Sequence, residues 1–418
     1  MTSTAARSPA SGKGARYHSR KQEILDAAGG LFNRHGLRDT TLAVVAAEIG
    51  LNLKSLRYYF RRKEDLVSAA FIHSIDLHRE LVREALEIDP FEQRIRHFIS
   101  SYFDLIARVA KGEVREFVHF GDIRALTEPH LEIVSSAYVD LFRETRQLFE
   151  RDAAHASPDQ SAANAHMLLS QLHWSVVWIS NYIPQDFSRV ADRMADVLLN
   201  GIAANKDGAA ATASSISTPF GPEDDKLSQE SFLRAATNLI NELGYRGASV
   251  DRISALLNVT KGAFYHYNET RDQLVIACFE RTFDIVREAQ NSAMSEEMDG
   301  LSHVATSTGS LVSRQMRPEG ALLRTSALTA VDPELRQEMQ WRLALSTYRF
   351  ADMLNDGLID GSVRLCDIRV ASEMVTGLIN SAQELQLWVP SANAENAVEL
   401  YVRPLLNGFL SYYVDDSA

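Results

Sequence analysis

The chain carries one helical pattern twice. Residues 24–80 align without a gap on residues 232–288, at a constant offset of 208. Identical pairs in that window include Leu25/Leu233, Ala28/Ala236, Leu31/Leu239, Asn33/Asn241, Gly36/Gly244, Arg38/Arg246, Tyr59/Tyr267, Leu66/Leu274, Phe71/Phe279 and Arg79/Arg287. A gapless match over many helical turns is a strong constraint, because whatever one copy folds into the other must fold into as well. The echo runs on in fixed order. Ala125-Leu126-Thr127, with Pro129 and Leu131, returns as Ala327-Leu328-Thr329 with Pro333 and Leu335. Ile183-Pro184 returns as Val389-Pro390, and Leu198-Leu199-Asn200-Gly201 as Leu405-Leu406-Asn407-Gly408. The order points to duplication of a whole unit of about 200 residues, too long and too few in number for a solenoid.

Apolar residues at three-and-four spacing run through 20–35, 92–110, 131–151, 160–182 and 187–204. They run again through 228–243, 301–316, 334–355, 367–388 and 394–413. That period is helical, and alternating β-branched runs are missing, so an all-α fold is expected. At 418 residues and 45% hydrophobic content the chain can fill more than one core. Residues 203–226 lack an apolar stripe and are rich in Ala, Ser, Thr and Gly, with Pro219 and Pro222. They read as a flexible linker with a root-mean-square span of about 26 Å. The expected order is a disordered basic tail (1–19), a first head (20–80), a first helical domain (81–204), a linker (205–226), a second head (227–288) and a second helical domain (289–418).

Several classes fall away. No apolar run reaches the roughly 18 residues of a membrane span, and the N-terminus lacks the apolar core of a signal peptide. Cys278 and Cys366 are the only cysteines, too few for a disulfide framework, so a reducing cytoplasm is the expected setting. No nucleophile, metal-ligand or phosphate-loop motif occurs. His166 and His173 are seven apart, not the i, i+4 spacing of a metal pair. Neither an enzyme nor a cofactor is expected.

The net charge of −12 argues against a polyanionic partner only until it is mapped. Residues 1–66 carry 12 Lys/Arg against 6 Asp/Glu, and residues 226–274 carry 6 against 5. The acidity lies elsewhere in the chain. Phosphate binding depends on a local basic face rather than on the total.

Within each copy the residues spell a helix-turn-helix. In the first, an apolar helix ends at Gly36, Thr40 or Thr41 can cap Leu42–Ile49, Gly50 turns, and Asn52 caps Leu53–Phe60 before Arg61-Arg62-Lys63. In the second, Gly244, Ser249 as cap, Val250–Leu257, Asn258 at the turn, Thr260 as cap and Lys261–Tyr267 follow in the same order. A short capped helix after a tight turn is the shape that enters a major groove.

The stretches VTKGAFYHY (259–267), TTLAVVAAEIGL (40–51) and RYYFRRKEDL (57–66) resemble the tetracycline-repressor (TetR) family of regulators. The resemblance is strongest over residues 20–70 and 228–278. It implies a three-helix DNA-binding head on a larger helical domain that pockets a small-molecule effector, and a dimer on a near-palindromic operator. For this chain it implies a covalent pseudo-dimer of two such units, with further pairing of whole chains open. The copies differ where they would read DNA. The first lacks the glycine that Gly262 supplies, Arg57 stands where Tyr265 stands, and Glu269-Thr270 replaces Arg61-Arg62.

Lys54 and Arg57 lie three apart and share a helix face. An arginine there can hold guanine O6 and N7 together; the plain alternative is a solvated face. Thr41, Asn52 and Ser55 in the first copy, and Ser249, Thr260, Lys261, Gly262 and Tyr265 in the second, complete the candidate readers. Tyr58 and His266 suit either phosphate or packing, and Lys63 and Arg271 suit phosphate positioning. Arg7, Lys13, Arg16 and Arg20 suit a minor-groove arm or an unstructured tail. Candidate effector residues are His119, Phe120, His173, Trp174 and Trp178 in the first half and Trp341, Tyr348 and Trp388 in the second; core packing uses the same types. The expected function is an effector-released DNA-binding regulator, with repression implied by the resemblance. Two others stay open: an interaction protein whose second head serves only pairing, and a helical small-molecule carrier or enzyme with decayed heads.

Overall fold

The computed structural model describes residues 10–151, 156–206, 229–247, 250–256, 270–331 and 333–413. Among them every regular element is helical, and the one β-bridge joins Ala203 to Val363. The chain forms two compact units. One holds Met1–His78 and Arg108–Val139, and the other holds Arg79–Ala107 and Asp140–Ala418.

The first unit is built on α1 (Ala10–Asp39), α2 (Leu42–Glu48), α3 (Leu53–Tyr59) and the first part of α4 (Lys63–Leu86). Ile24, Ala28, Leu31 and Phe32 put one stripe of α1 into the core, and Val45, Leu56, Leu66 and Phe71 of α2, α3 and α4 are buried as well. Gly36, at φ 74°, breaks α1 near its end. Thr40 is buried and donates its hydroxyl to the carbonyls of Leu31 and Gly36 (3.1 and 3.0 Å), which fastens the bend.

The start of α1 corrects one expectation. Residues 10–19 are helical rather than a disordered tail. The stabilising contact is aromatic. Tyr17 stacks on Tyr59 with 5.0 Å between ring centroids and meets Tyr58 edge-on at 6.0 Å.

The second unit holds most of α5 (Phe91–Ala110) and α6 (His130–Glu150), with α7 (Pro158–Trp178) and α8 (Phe187–Asn200), from the first copy. From the second copy it holds α9 (Gln229–Gly247), α10 (Val250–Leu256), α11 (Arg271–Met294), α12 (Gly300–Gln315), α13 (Pro333–Asp360) and α14 (Ile368–Ser381). The short α15 (Leu385–Trp388), a π-turn at Val398–Val402, α16 (Arg403–Asn407) and α17 (Leu410–Tyr413) follow.

Helix α7 is buried almost all round, and its polar residues find partners on the second copy. Gln160 donates to Leu400 O (3.0 Å), Asn164 to the Tyr413 hydroxyl (3.0 Å) and Gln171 to Met374 O (2.8 Å). His166 Nε2 lies 3.1 Å from Ser381 O, and its ring stacks on Tyr401. Burial holds the His166 imidazole below its ordinary pKa. Buried polar groups satisfied in this way add direction to an apolar interface.

The duplicated Leu-Leu-Asn-Gly motif lies at the centre of this packing. Leu406 O accepts from Ile202 N and Ala203 N (both 2.9 Å), and Leu198 O accepts from Phe409 N (2.8 Å). Gly201 (φ 74°) and Gly408 (φ 82°) bring the two backbones together. A Cβ on Gly201 would stand 2.2 Å from Leu406 O, and one on Gly408 would stand 2.3 Å from Leu199 O. Only glycine fits either place.

Candidate nucleic-acid interface

The first head is shaped by its caps. Thr41 begins α2 by accepting from Val44 N (3.3 Å). Gly50, at φ 66°, turns the chain while Leu51 N reaches back to Ala46 O (2.8 Å). Asn52 then begins α3 by accepting from Ser55 N (2.8 Å), and Leu56 N bonds Asn52 O (3.1 Å). Leu56 is fully buried and Phe60 nearly so, which fixes the inner face of α3. The outer face is left to Lys54, Arg57 and Tyr58, all exposed, with Tyr58 at 74%. Neither Lys54 nor Arg57 has an ion-pair partner among the described residues. Both therefore present cationic donors outward from a rigid short helix. Asn52 and Thr41 stand at the cap positions, Ser55 lies in the first turn of α3, and Lys63, half-buried, opens α4.

The second head shares this frame as far as it is described. Gly244 bends α9 at φ 69°, as Gly36 bends α1. Ser249, Thr260, Lys261, Gly262, Tyr265 and His266 lie outside the described residues, as does the Arg271 side chain. Thr270 caps α11 in a reciprocal box with Gln273, with bonds of 3.2 and 3.0 Å.

Each head is tied to the segment ahead of a 3-10 turn by the same pair of positions, an asparagine and a hydroxyl residue, which sequence reasoning left without a role. Asn33 donates to Phe117 O (2.8 Å) and accepts from His119 N (2.9 Å), while Ser74 Oγ accepts from Val118 N (3.0 Å). In the second copy Asn241 donates to Leu322 O (2.7 Å) and accepts from Arg324 N (3.0 Å), and Thr282 Oγ1 accepts from Leu323 N (2.9 Å). The signal was present in the Asn33/Asn241 identity, which the repeat preserves on a helix where Asn is a poor former.

A family model described as "Bacterial regulatory proteins, tetR family" matches residues 24–70 and again residues 232–278. Two segments of the chain thus match the head of that family. The Transposon Tn10 TetC protein of Escherichia coli is 41% identical over 59 residues, which is 14% of this chain and 30% of that protein. Transcriptional regulator AcuR of Cereibacter sphaeroides is 36% identical over 62 residues, 15% of this chain and 28% of AcuR. The chain thus spans less than a third of the length of these curated relatives. Among solved structures, the TetR-family transcriptional regulator PfmR of Thermus thermophilus is 18% identical at a TM-score of 0.36, covering 43% of this chain and 98% of PfmR. A TetR/AcrR-family regulator of Thermobifida fusca is 22% identical at 0.32, covering 43% and 96%.

The candidate effector residues do not gather around one site. In the first unit, Phe120 packs against His78 and Tyr138 (ring centroids 4.9 and 5.5 Å), and His119 is half-buried beside Phe117. In the second unit, Trp174 and Trp178 are buried on α7, and His173, next to Trp174 in the chain, is half-buried. Trp174 packs against Gly377 of α14. Trp388 stacks on Phe142 at 4.0 Å, and Trp341 and Tyr348 are exposed on α13.

An apolar cavity of about 50 Å³ does occur in the second copy, between α11, α13, α14 and the segment 322–328. Phe279, Phe283, Val286, Leu323, Leu343 and Phe350 are among its walls, none of them among the candidates. A cavity and a core use the same side chains, so sequence alone does not separate them. Val286 aligns with His78 at the offset of 208. In the first unit that position holds a ring packed between Phe117 and Phe120. Burial pushes the His78 imidazole down to about 4, so it sits there uncharged.

Proposed function

We propose that the chain is a DNA-binding transcription regulator that acts as a covalent pseudo-dimer, one head to each half of an operator. The observation that carries the reading is the capped α3, with Leu56 buried beneath Lys54, Arg57 and Tyr58, inside a head of the tetR family. The exchange of backbone hydrogen bonds between Leu198–Phe409 and Ile202–Leu406 supports pairing within one chain. Repression by occupancy is the simplest mode for such a binder.

A small uncharged effector would act through the second-copy cavity. Leu322 and Leu323 line it, and the same two residues hydrogen-bond to Asn241 on α9 and Thr282 on α11. A ligand that shifts this wall shifts the head helices with it, and DNA affinity falls by the coupling energy.

The two heads carry different outward residues, so the operator is expected to be asymmetric. Arg57 paired with a guanine discriminates against a wrong base by about 1–3 kcal/mol. Selection of bound fragments from random duplex DNA should return two unlike half-sites. Arg57→Ala should relax base preference in one of them only, whereas Lys63→Ala should weaken all sequences alike. A perfect palindrome, or an Arg57→Ala effect spread equally over both halves, would contradict the two-reader account.

A further inference from the structure

A second cavity, of about 260 Å³, opens where α13 and α14 meet the residues that follow α7. Arg369 and Glu373 stand on its wall one turn apart on α14, with Asn181, Tyr348, Asn355 and Ser372 around them. The duplication gives this place a counterpart, and the counterpart is filled. By the repeat's own offsets, Trp388 answers to Tyr182 and Phe142 answers to Ser346. Trp388 stacks on Phe142 with 25° between the ring planes. At the open junction residue 346 is only a serine, and the Arg369 guanidinium lies 4.4 Å from the Tyr182 ring centroid. One side of the duplication has two stacked rings where the other has a hollow and two charges.

The two charges feel each other, but they do not close an ion pair among the described residues. Arg369 makes one long hydrogen bond, 3.4 Å to Asn181 O, and has no carboxylate partner among the described residues. Glu373 has no ion-pair partner among them either. Burial pushes its carboxyl up to about 7, against the downward pull of the Trp174 indole and Arg369. The wall therefore offers a cation with free donors and, beside it, a carboxyl that burial holds partly protonated until a positive charge is placed against it. A simple anion would meet Arg369 but be repelled by Glu373, and a simple cation would meet the reverse. A molecule carrying both charges satisfies both.

We propose that this cavity binds a small zwitterion of the free amino-acid class, one molecule per chain. Its carboxylate would lie on the Arg369 guanidinium and its ammonium on the Glu373 carboxylate, as charge-assisted hydrogen bonds. The site is built from both copies, so occupancy braces α14 against the end of α7, within the packing that pairs the two halves.

The test is calorimetric titration of the full chain, without DNA, with the common free amino acids, so that it stands apart from operator recognition. Each amino acid that binds is then compared with its amide and its N-acetyl form. At least one should bind one-to-one, and removal of either charge should weaken it by about tenfold or more. Arg369→Ala and Glu373→Gln should each do the same to the parent ligand. If Arg369→Ala does not fold, Arg369→Lys, which keeps the charge but loses the fork, should still weaken binding. Absence of binding by any amino acid would overturn the proposal. So would neutralised ligands that bind as well as the parent, or variants that bind like the wild type.

Discussion

Raising the salt from 50 to 200 mM is expected to weaken operator binding by about a thousandfold or more. Each phosphate neutralised by Lys or Arg contributes about −0.9 to the slope of log K against log salt, and a pair of heads with some six phosphate contacts gives a slope near −5. The cations are there to do it. Residues 1–66 hold 12 Lys/Arg, and Lys54 and Arg57 stand exposed on α3, with Arg61 and Arg62 exposed just beyond it. The chain's overall charge of −12 does not soften this, since it lies mainly outside the heads and is screened beyond about 10 Å at 0.1 M salt. Fluorescence anisotropy on a labelled operator across a salt series measures the slope directly. A slope near zero would mean that the basic head is not a DNA surface.

Gly201→Ala should be strongly destabilising, because the added methyl would meet backbone rather than side chain. The position has φ 74°, which alone costs an L-residue about 1–2 kcal/mol. Its Cβ would also press on Leu406 O, Asn407 C and Gly408 N, all backbone atoms within 2.6 Å. Relief requires the two backbones to part, with loss of the bonds from Ile202, Ala203 and Phe409, each worth about 0.5–1.5 kcal/mol. A total of about 4 kcal/mol follows. Gly112→Ala provides the control, because Gly112 has φ 73° and nothing within 4 Å of its would-be Cβ. It should cost only about 1–2 kcal/mol. Denaturant unfolding of both variants separates strain from close approach. Equal losses would mean that the two Leu-Leu-Asn-Gly motifs do not touch.

The parts that local chemistry encodes were legible. Thr41, Gly50 and Asn52 specify a cap, a turn and a second cap within twelve residues, and α2 and α3 follow from them. The helical period located α5, α6, α8 and α12 to α14 because each buries a stripe of its own length. What the period cannot carry is contact between distant residues. Tyr17 looked like part of an unstructured tail because its partner, Tyr59, lies 42 positions away. The Leu-Leu-Asn-Gly repeat was visible as a repeat, but its glycines acquire a purpose only when the two copies meet. The effector residues were the hardest to read. Trp174 and Trp178 are large rings on a helix that is buried all round, and nothing in a sequence separates a ring that packs from one that lines a space.

The central claim is that one polypeptide supplies both members of a helix-turn-helix pair, and the mass of the saturated complex tests it most directly. Native mass spectrometry on a selected operator with two half-sites should find one chain of 46.6 kDa per duplex. Two chains on that duplex would contradict the covalent pseudo-dimer and indicate a conventional dimer that uses one head from each chain.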